Sequence, residues 1–223
     1  DQINNVGFTT HNYYYSETPV SPPAPTGFSP ASGSYTSSTT PTVTFNMDKP
    51  GDCLAHTSDL SYNDMAAQSN EIVCTGTHPG QFSCAMSLGS DGTKNVYISC
   101  KDVIDNKDTA ASNNDLSYLL DTAPPQITAA GPTTYQTSSS VTLTAETNEN
   151  AYCRYSTTSQ GYTSMPNQFT VGEGTTSHSK TLTLPDNPYN YYISCTDTLN
   201  PMTTSSPVSF TVDTVTPTTS DNA

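Results

Sequence analysis

The chain has 223 residues, enough for two domains of about 100 residues each. It carries 20 acidic and 6 basic residues, and the resulting net charge of −14 argues against nucleic acid or anionic membranes as partners, because both attract Lys and Arg. No run of about 18 apolar residues occurs, so the sequence predicts no membrane span. Abundant Thr, Ser, Asn, Pro and Gly favour strands and turns, which predicts an all-β protein.

One pattern occurs twice along the chain. Residues 97–102 read Tyr-Ile-Ser-Cys-Lys-Asp, and residues 192–197 read Tyr-Ile-Ser-Cys-Thr-Asp. Upstream, Cys53 and Cys153 are each followed by a Tyr nine residues later and by a Met three residues after that. Matching patterns in the same order, about 100 residues apart, predict two copies of one domain rather than a short-period solenoid. We therefore place the two domains at residues 22–123 and 124–214.

The six cysteines follow the duplication. Four of them occupy equivalent positions in the two repeats: Cys53 and Cys100 in the first, Cys153 and Cys195 in the second. Cys74 and Cys84 occur only in the first repeat, on either side of a Gly/Pro-containing tip, so a bridge between them would join the two arms of one hairpin. An even count without a C-x-x-C pair favours three disulfides and an extracellular location over zinc sites. Buried free thiols are the alternative.

Residues 1–21 precede the first repeat, and residues 215–223 form a tail after the second. The segment up to Tyr15 is rich in β-forming residues and leads into Ser-Pro-Pro-Ala-Pro at residues 21–25, which is typical of a stiff extended linker. A strand with no partner in its own repeat predicts pairing elsewhere, and a disordered terminus is the alternative. The predicted contact residues of this N-terminal arm are Ile3, Val6, Phe8, Tyr13, Tyr14 and Tyr15.

Within each repeat, short segments with strand-like composition alternate with Pro, Gly and Asn turns. Examples are residues 42–45 and 95–100 in the first repeat, and 141–145 and 151–156 in the second, with a turn predicted at 148–150. About seven such strands per repeat fit a sandwich of two sheets.

The second repeat resembles a known group of domains. Cys153-Arg154-Tyr155-Ser156, the Tyr and Met at 162 and 165, and Tyr-Tyr-Ile-Ser-Cys-x-Asp at 191–197 are similar to bacterial Ig-like and fibronectin type III-like domains of secreted surface proteins. The resemblance implies tandem Ig-like β-sandwiches, two cysteines on neighbouring strands and an Asp that opens the next hairpin turn. It implies no specific activity, since such modules serve as spacers, stalks and adhesive units. The absence of Trp separates the chain from antibody-type domains.

No catalytic motif is present: the sequence lacks G-x-S-x-G and H-E-x-x-H, and we predict no catalytic residue and no cofactor. Glu146 and Glu149 could in principle act as an acid/base pair, but solvated turn acids are the preferred interpretation. The four histidines (His11, His56, His78 and His178) are scattered and are predicted to be exposed in loops or on strands.

The densest acidic segment lies directly after Cys100. Asp102, Asp105 and Asp108 offer oxygen ligands for Ca²⁺ on one loop, without the Gly and terminal Glu of an EF-hand. Hydrogen bonding to the loop's own backbone is the preferred alternative, so no metal is predicted. Thr/Ser runs such as residues 37–40 could carry O-linked glycans.

These features together predict an extracellular, non-enzymatic structural protein, the subunit of a pilus-like filament or surface appendage. The N-terminal arm would act as a donor strand on an open sheet edge of a neighbouring copy, giving a head-to-tail homopolymer. The alternative is a monomeric adhesin or a carbohydrate-binding accessory module of a secreted protein.

Overall fold

A computed structural model describes residues 21–216. Its described strands form two sets, one within residues 25–120 and one within residues 127–212, and strands pair only inside their own set. Each set corresponds to one of the sequence repeats. Strands dominate both sets, so the prediction of an all-β chain made of Ig-like sandwiches is confirmed.

The first repeat contains eight strands: β1 (Pro25–Ser29), β2 (Tyr35–Thr36), β3 (Thr42–Met47), β4 (Gly51–His56), β5 (Ile72–Val73), β6 (Gln81–Ala85), β7 (Gly92–Asp102) and β8 (Asn114–Leu120). One sheet has the order β1-β3-β6, and the other has the order β2-β8-β7-β4-β5. The short β2 joins β8 in parallel, whereas β3 pairs antiparallel with both of its neighbours.

Alternation of side chains along these strands builds the core. In β3, whose sequence is Thr-Val-Thr-Phe-Asn-Met, the second, fourth and sixth residues are buried and the others are not. Phe45 of β3 stacks on Phe82 of β6, with the ring centroids 5.7 Å apart. Full burial of a large apolar side chain contributes roughly 1.5–3 kcal/mol, so this face of the strand holds it against the opposite sheet.

The second repeat contains six strands: β9 (Ile127–Gly131), β10 (Ser140–Ser156), β11 (Asn167–Gln168), β12 (Thr175–Thr183), β13 (Asn187–Thr196) and β14 (Ser206–Val212). The first half of β10 pairs with β9 and β12, and its second half pairs with β11 and β13. The predicted turn at 148–150 was wrong, because these residues lie inside β10. The register with β12 shifts between Glu146 and Ala151, so the strand bends from one layer to the other without ending.

The repeated Tyr-x-x-Met pattern forms a single helical turn in each repeat. In the first repeat it is α1 (Tyr62–Ala66), whose Asp64 N–H donates to the Ser61 hydroxyl as an N-cap (3.2 Å). Tyr62 and Met65 are buried and pack with Leu54. In the second repeat the turn is a 3₁₀ helix, residues 162–164, followed by the buried Met165. Composition alone did not predict these turns.

The chain forms two compact units whose limits differ from those of the two sequence repeats. One unit consists of the residues up to Gly33 together with Thr42–Met86 and Asn95–Ser117. The other consists of Ser34–Pro41, Ser87–Lys94 and the residues from Tyr118 onward. The domain limits at residues 22–123 and 124–214 therefore remain a prediction from the repeat.

Candidate functional site

All six cysteines are joined in three disulfides: Cys53–Cys100, Cys74–Cys84 and Cys153–Cys195. The first and the last connect residues that lie directly opposite each other on neighbouring strands, with Cα atoms 4.1 Å apart in both cases. The disulfide prediction, including the equivalent pairs of the two repeats, is confirmed.

The remaining disulfide joins the two arms of a hairpin, as expected, and also connects the two sheets. Thr75 and Ser83 do exchange both backbone hydrogen bonds, at 2.8 Å each, as the arms of a hairpin would. However, Cys74 directly follows β5, which belongs to the five-stranded sheet, and Cys84 lies in β6 of the three-stranded sheet. The Cys74–Cys84 bridge therefore ties the two sheets of the first repeat together.

The candidate calcium ligands after Cys100 are used for the loop itself. Asp102 Oδ1 accepts hydrogen bonds from the backbone N–H groups of Ile104 (3.0 Å) and Asn106 (2.9 Å). Burial alone would raise the pKa of Asp102, but the hydrogen bonds from Asn106 and Ile104 outweigh it and hold the pKa below its usual value. Asp105 pairs with Lys107 at 2.8 Å.

Asp108 serves a different part of the same loop. Its Oδ2 accepts from the backbone N–H of Cys100 (2.8 Å), and its Oδ1 accepts from the Ser112 hydroxyl (3.1 Å). Burial raises the pKa of this carboxyl. The hydrogen-bonded turn that the sequence favoured over a metal site thus describes the geometry of Asp102 and Asp108.

A different set of carboxylates gathers within the second compact unit. Oxygens of Asp121, Glu149 and Asp197 lie within 4.8 Å of one another. They line a groove of 390 Å³ together with the rings of Tyr35 and Tyr152. Burial, reinforced by the neighbouring negative charges, raises the pKa of both Asp121 and Glu149. Sequence reasoning missed this acidic cluster because its members come from three distant segments, although Asp197 belongs to the repeated Tyr-Ile-Ser-Cys-x-Asp pattern.

Chemically, three carboxylates could contribute ligands to a hard cation such as Ca²⁺, which takes about six to eight oxygens. Asp197 is already committed to its own loop. Its Oδ1 accepts from the N–H groups of Leu199 and Asn200 at 2.7 Å each, and its Oδ2 accepts from Asn200 Nδ2 at 3.0 Å. Asp197 therefore opens the turn after β13 as Asp102 does after β7, which the resemblance had implied.

Two histidines lie in the interior, contrary to the expectation that all four would be exposed. His56 is 7% exposed and His178 only 1%. His178 packs edge-on against Phe169, and its Nε2 lies 3.5 Å from the Thr147 hydroxyl. Burial lowers the pKa of this imidazole. The expectation failed because a His on an inward position of β12 is sealed by the opposite sheet, which scattered spacing does not indicate. His11 lies outside the described residues.

The outer edge of the first repeat's last strand is covered by its own chain. Residues 33–36 run beside β8 and exchange three backbone hydrogen bonds with it: Gly33 N to Ser117 O (2.7 Å), Leu119 N to Ser34 O (3.0 Å) and Asp121 N to Thr36 O (3.0 Å). The edge of β8 is thus paired over most of its length.

The equivalent edge of the second repeat is covered much less. Among residues 21–216, only Gln136 makes backbone hydrogen bonds to it, with its N–H donating to Thr211 O (2.8 Å) and its carbonyl accepting from Asp213 N (2.9 Å). In the described part of the chain, residues 133 and 134 make no backbone hydrogen bond to β14. A groove of 260 Å³ lies between residues 133–135 and this edge, and Tyr135 beside it is 75% exposed.

The predicted contact residues of the arm, Ile3, Val6, Phe8, Tyr13, Tyr14 and Tyr15, lie outside the described residues, as do residues 217–223 of the tail. The described part of the arm is Ser21, whose carbonyl and hydroxyl oxygens both accept from Lys49 Nζ. Among the helices of residues 21–216, none has the length and apolarity needed to cross a bilayer.

Comparisons with known proteins give similar folds without a family. No family model and no curated protein matches the sequence. Many solved structures are similar, 148 chains in all. The fibronectin(III)-like modules of CbhA from Clostridium thermocellum are 10% identical with a TM-score of 0.38, covering 83% of this chain and 93% of theirs.

Two further examples are Ig and fibronectin domains of animal proteins. A three-domain Ig fragment of titin is 12% identical with a TM-score of 0.49, covering 86% of this chain and 66% of its own. Three fibronectin domains of chicken CNTN1 are 13% identical with a TM-score of 0.40, covering 86% and 68%. At such identities the likeness concerns the fold alone. The chain is thus similar to Ig-like and fibronectin type III-like domains, as its sequence had suggested.

Proposed function

We propose that the chain is an extracellular, non-enzymatic structural subunit that assembles head to tail, its N-terminal arm adding as a strand to a sheet edge of a neighbouring copy. One observation carries the proposal: hydrogen bonds to side-chain oxygens fix the points where the chain enters and leaves each repeat. These fixed points occur twice, at equivalent positions.

The exit from each last strand has the same construction. After β8, the N–H and the hydroxyl of Thr122 both donate to Asp91 Oδ1, at 3.1 and 2.8 Å. After β14, Thr214 makes the same two bonds to Asp186 Oδ1, at 3.1 and 2.9 Å. Each carboxylate thereby fixes the direction in which the chain leaves its repeat, because two hydrogen bonds to one oxygen restrict both backbone and side chain.

The entry into each repeat is fixed in a matching way. Gln126 N, directly after Pro125, donates to Asn148 Oδ1 at 2.6 Å. Ala24 N, directly after Pro23, donates to Asp48 Oδ1 at 2.7 Å. Both repeats therefore begin with the same kind of contact, made by the residue directly after a proline pair. This supports an arm attached at a defined point.

Two further observations support an extracellular, non-enzymatic role. All six cysteines are in disulfides, which persist in oxidising compartments. General acid–base catalysis needs titratable groups in reach of a substrate. Here His56 and His178 are buried, while Asp91, Asp102 and Asp186 accept backbone N–H groups.

The proposal is tested by removing residues 1–20, a deletion that keeps Ser21 and its contacts with Lys49. We expect the parent to form fibres in negative-stain electron microscopy and the deletion to sediment as a folded monomer. A matched control is the full-length Val6→Asp/Phe8→Asp variant, which keeps the length of the arm and removes its apolar side chains. Fibres that persist without the arm would refute the proposal.

A second candidate function, carbohydrate binding by a monomeric accessory module or adhesin, is favoured by the groove next to the acidic cluster. Tyr35 is 65% and Tyr152 is 38% exposed, and both line this groove together with Glu149 and Asn150. Aromatic faces beside a few polar groups are typical of small-ligand sites. If the parent protein bound to glycans on an array and the Tyr35→Ala and Tyr152→Ala variants did not, this function would be favoured.

A further inference from the structure

We propose that the outer edge of β14 is the acceptor for the arm, and that the segment that fills it is residues 4–10 from a second copy of the chain. This inference rests on the proposed function and adds the position of the acceptor. It follows from the backbone groups that β14 leaves unpaired, from the length of the segment beside it and from the pattern of the arm.

The hydrogen bonds of Gln136 show which backbone groups of β14 point outward. Thr211 O and Asp213 N both bond to Gln136, so these odd-numbered residues direct their backbone groups away from β13. Because this direction alternates along a strand, Ser209 and Pro207 also face outward. Four groups thus have no backbone partner in the described part of the chain: the N–H of Thr211, both groups of Ser209 and the carbonyl of Pro207.

The first repeat shows why this edge stays open. There, the bonds from Leu119 N to Ser34 O and from Gly33 N to Ser117 O occupy the equivalent positions on β8. Four residues separate Pro30 from Tyr35, whereas only two separate Pro132 from Tyr135. The shorter segment of the second repeat is two residues short of what the first uses to cover the strand, and it reaches the edge only at Gln136.

Three other edge strands, β1, β9 and β12, suit strand addition less well. The register of β1 shifts between Thr26 and Ser29. The register of β9 shifts as well, opposite Glu146 and Thr147 of β10. β12 carries Lys180, a charge that disfavours edge-to-edge pairing, and its Ser179 already exchanges backbone bonds with Val171. β14 pairs with β13 in continuous register and carries no charged residue.

The arm matches this edge in length and pattern. From residue 207 to residue 211 the strand spans about 13 Å at 3.3 Å per residue, which Val6 to Thr10 would cover. Val6 and Phe8 stand two residues apart, so both face the same side of an extended strand. On that side they would meet the groove beside Tyr135, whose exposed ring the added strand would shield. Backbone bonds supply affinity in such additions, and alternate side chains supply specificity.

The test replaces Ser209 by proline in the full-length chain. This removes an outward N–H, and Pro207 shows that β14 accepts proline at an outward position. The matched control is Ser209→Ala, which keeps the N–H and loses only the hydroxyl bond to Asn190. We expect Ser209→Pro to raise the critical concentration for fibre formation at least tenfold, with an unchanged circular dichroism spectrum, and Ser209→Ala to assemble like the parent.

A second variant tests the same assignment without a proline substitution in β14. Replacing Thr133-Thr134 by Ala-Ser-Gly-Ser gives the second repeat the segment length of the first. It should let the chain cover its own edge and block assembly while keeping or raising the thermal midpoint. Normal fibres from both variants would overturn the β14 assignment, and if deletion of residues 1–20 still abolished fibres, the proposed function would stand with another acceptor.

The remaining outcomes concern the source of the arm. A full-length monomer in which a synthetic peptide of residues 1–16 fails to bind would overturn both proposals. Alternatively, the full-length chain is a monomer, its 1–20 deletion binds that peptide, and the deletion with Ser209→Pro does not. This result would keep β14 as the acceptor. It would show that the occupant is the chain's own arm, and the second copy would be refuted.

Discussion

The two repeats differ in their side chains at one equivalent pair of neighbouring strands. In the first, Phe45 stacks on Phe82 and the Cys74–Cys84 bridge ties one sheet to the other. In the second, the β10–β12 register puts Ala145 opposite His178, where the first has its two phenylalanines. The same backbone geometry thus tolerates an aromatic pair or a small side chain with an imidazole.

The position of Cys74 is filled in the second repeat by an aromatic ring. Cys74 N donates to Cys53 O (3.0 Å), and Phe169 N donates in the same way to Cys153 O (3.2 Å). Phe169 is fully buried and packs against His178. The first repeat therefore has a disulfide at this position, and the second has a buried phenylalanine packed against a histidine. The stability of the first should depend on redox conditions, and that of the second on pH.

The largest expected effect comes from removing the feature that only the first repeat has. The Cys74→Ala/Cys84→Ala double variant frees a loop of ten residues. The chain-entropy model assigns a loop of this size about 3 kcal/mol, so we expect the free energy of unfolding of the first repeat to fall by about that amount. Urea denaturation followed by tyrosine fluorescence measures it.

The matched control for this variant is Lys180→Ala, since Lys180 lies opposite Leu143 as Cys84 lies opposite Val43. At this partly exposed site we expect a change of less than about 0.5 kcal/mol. A loss below about 1 kcal/mol in the double cysteine variant would show that packing around Phe45 and Phe82, not the bridge, holds the two sheets.

The next effect concerns pH and the second repeat. Because burial lowers the pKa of His178 from its ordinary 6.5, the folded protein binds this proton more weakly than the unfolded chain does. Stability should therefore decrease as the pH falls through 6.5, by at most about 1.4 kcal/mol per pH unit for one proton. The negative charges of Glu146 and Glu173 favour the protonated imidazole and reduce the effect.

Replacing His178 by Phe, the residue of the first repeat, should remove this dependence. Thermal unfolding at pH 7 and pH 5 would show a smaller difference in midpoint for His178→Phe than for the parent. The reverse change, Phe82→His, should make the first repeat sensitive to acid. If the parent and His178→Phe shifted equally between the two pH values, titration of this imidazole would not govern the stability of the second repeat.

Much of this architecture was predictable from the sequence because duplication reveals it. The positions of Cys53 and Cys153 relative to the Tyr-Ile-Ser-Cys-x-Asp pattern gave the two intra-sheet disulfides. Asp102 and Asp197 proved equivalent in structure as well as in sequence. What stayed hidden depends on contacts between distant segments. The acidic cluster needs Asp121 and Glu149 to meet, and burial of His178 depends on which side of β12 faces the core.

The outer edge of β14, which residues 21–216 pair only at Gln136, is a third kind of feature, visible in the sequence only after the fold is known. The two-residue difference between the segments before Tyr35 and Tyr135 is small. It gains meaning when the structure shows that the longer segment pairs with its strand and the shorter one does not. Insertions and deletions beside an edge strand are therefore worth examining in duplicated sandwiches, since edges left unpaired are where other chains add.

The smallest effect is expected at the acidic cluster of Asp121, Glu149 and Asp197. Glu149 lies four residues before Cys153, and the residue four positions before Cys53 in the first repeat is Lys49. Burial and the charges of Asp121 and Asp197 raise the pKa of Glu149, so the folded chain gains stability as the pH falls through that raised pKa and loses it as the pH rises. Glu149→Gln should therefore raise the thermal unfolding midpoint at pH 7 slightly, because the free energy of unfolding should increase by less than about 1 kcal/mol. The part of the gain that comes from like charges should shrink in about 1 M salt, where the screening length is near 3 Å, whereas the part that comes from burial should remain. Glu146→Gln, which keeps an amide oxygen as acceptor for the Ser177 hydroxyl and removes a charge outside the cluster, is the control and should not stabilise. A lower midpoint for Glu149→Gln would instead mean that this carboxylate has an attractive partner, and the like-charge explanation of the cluster would be wrong.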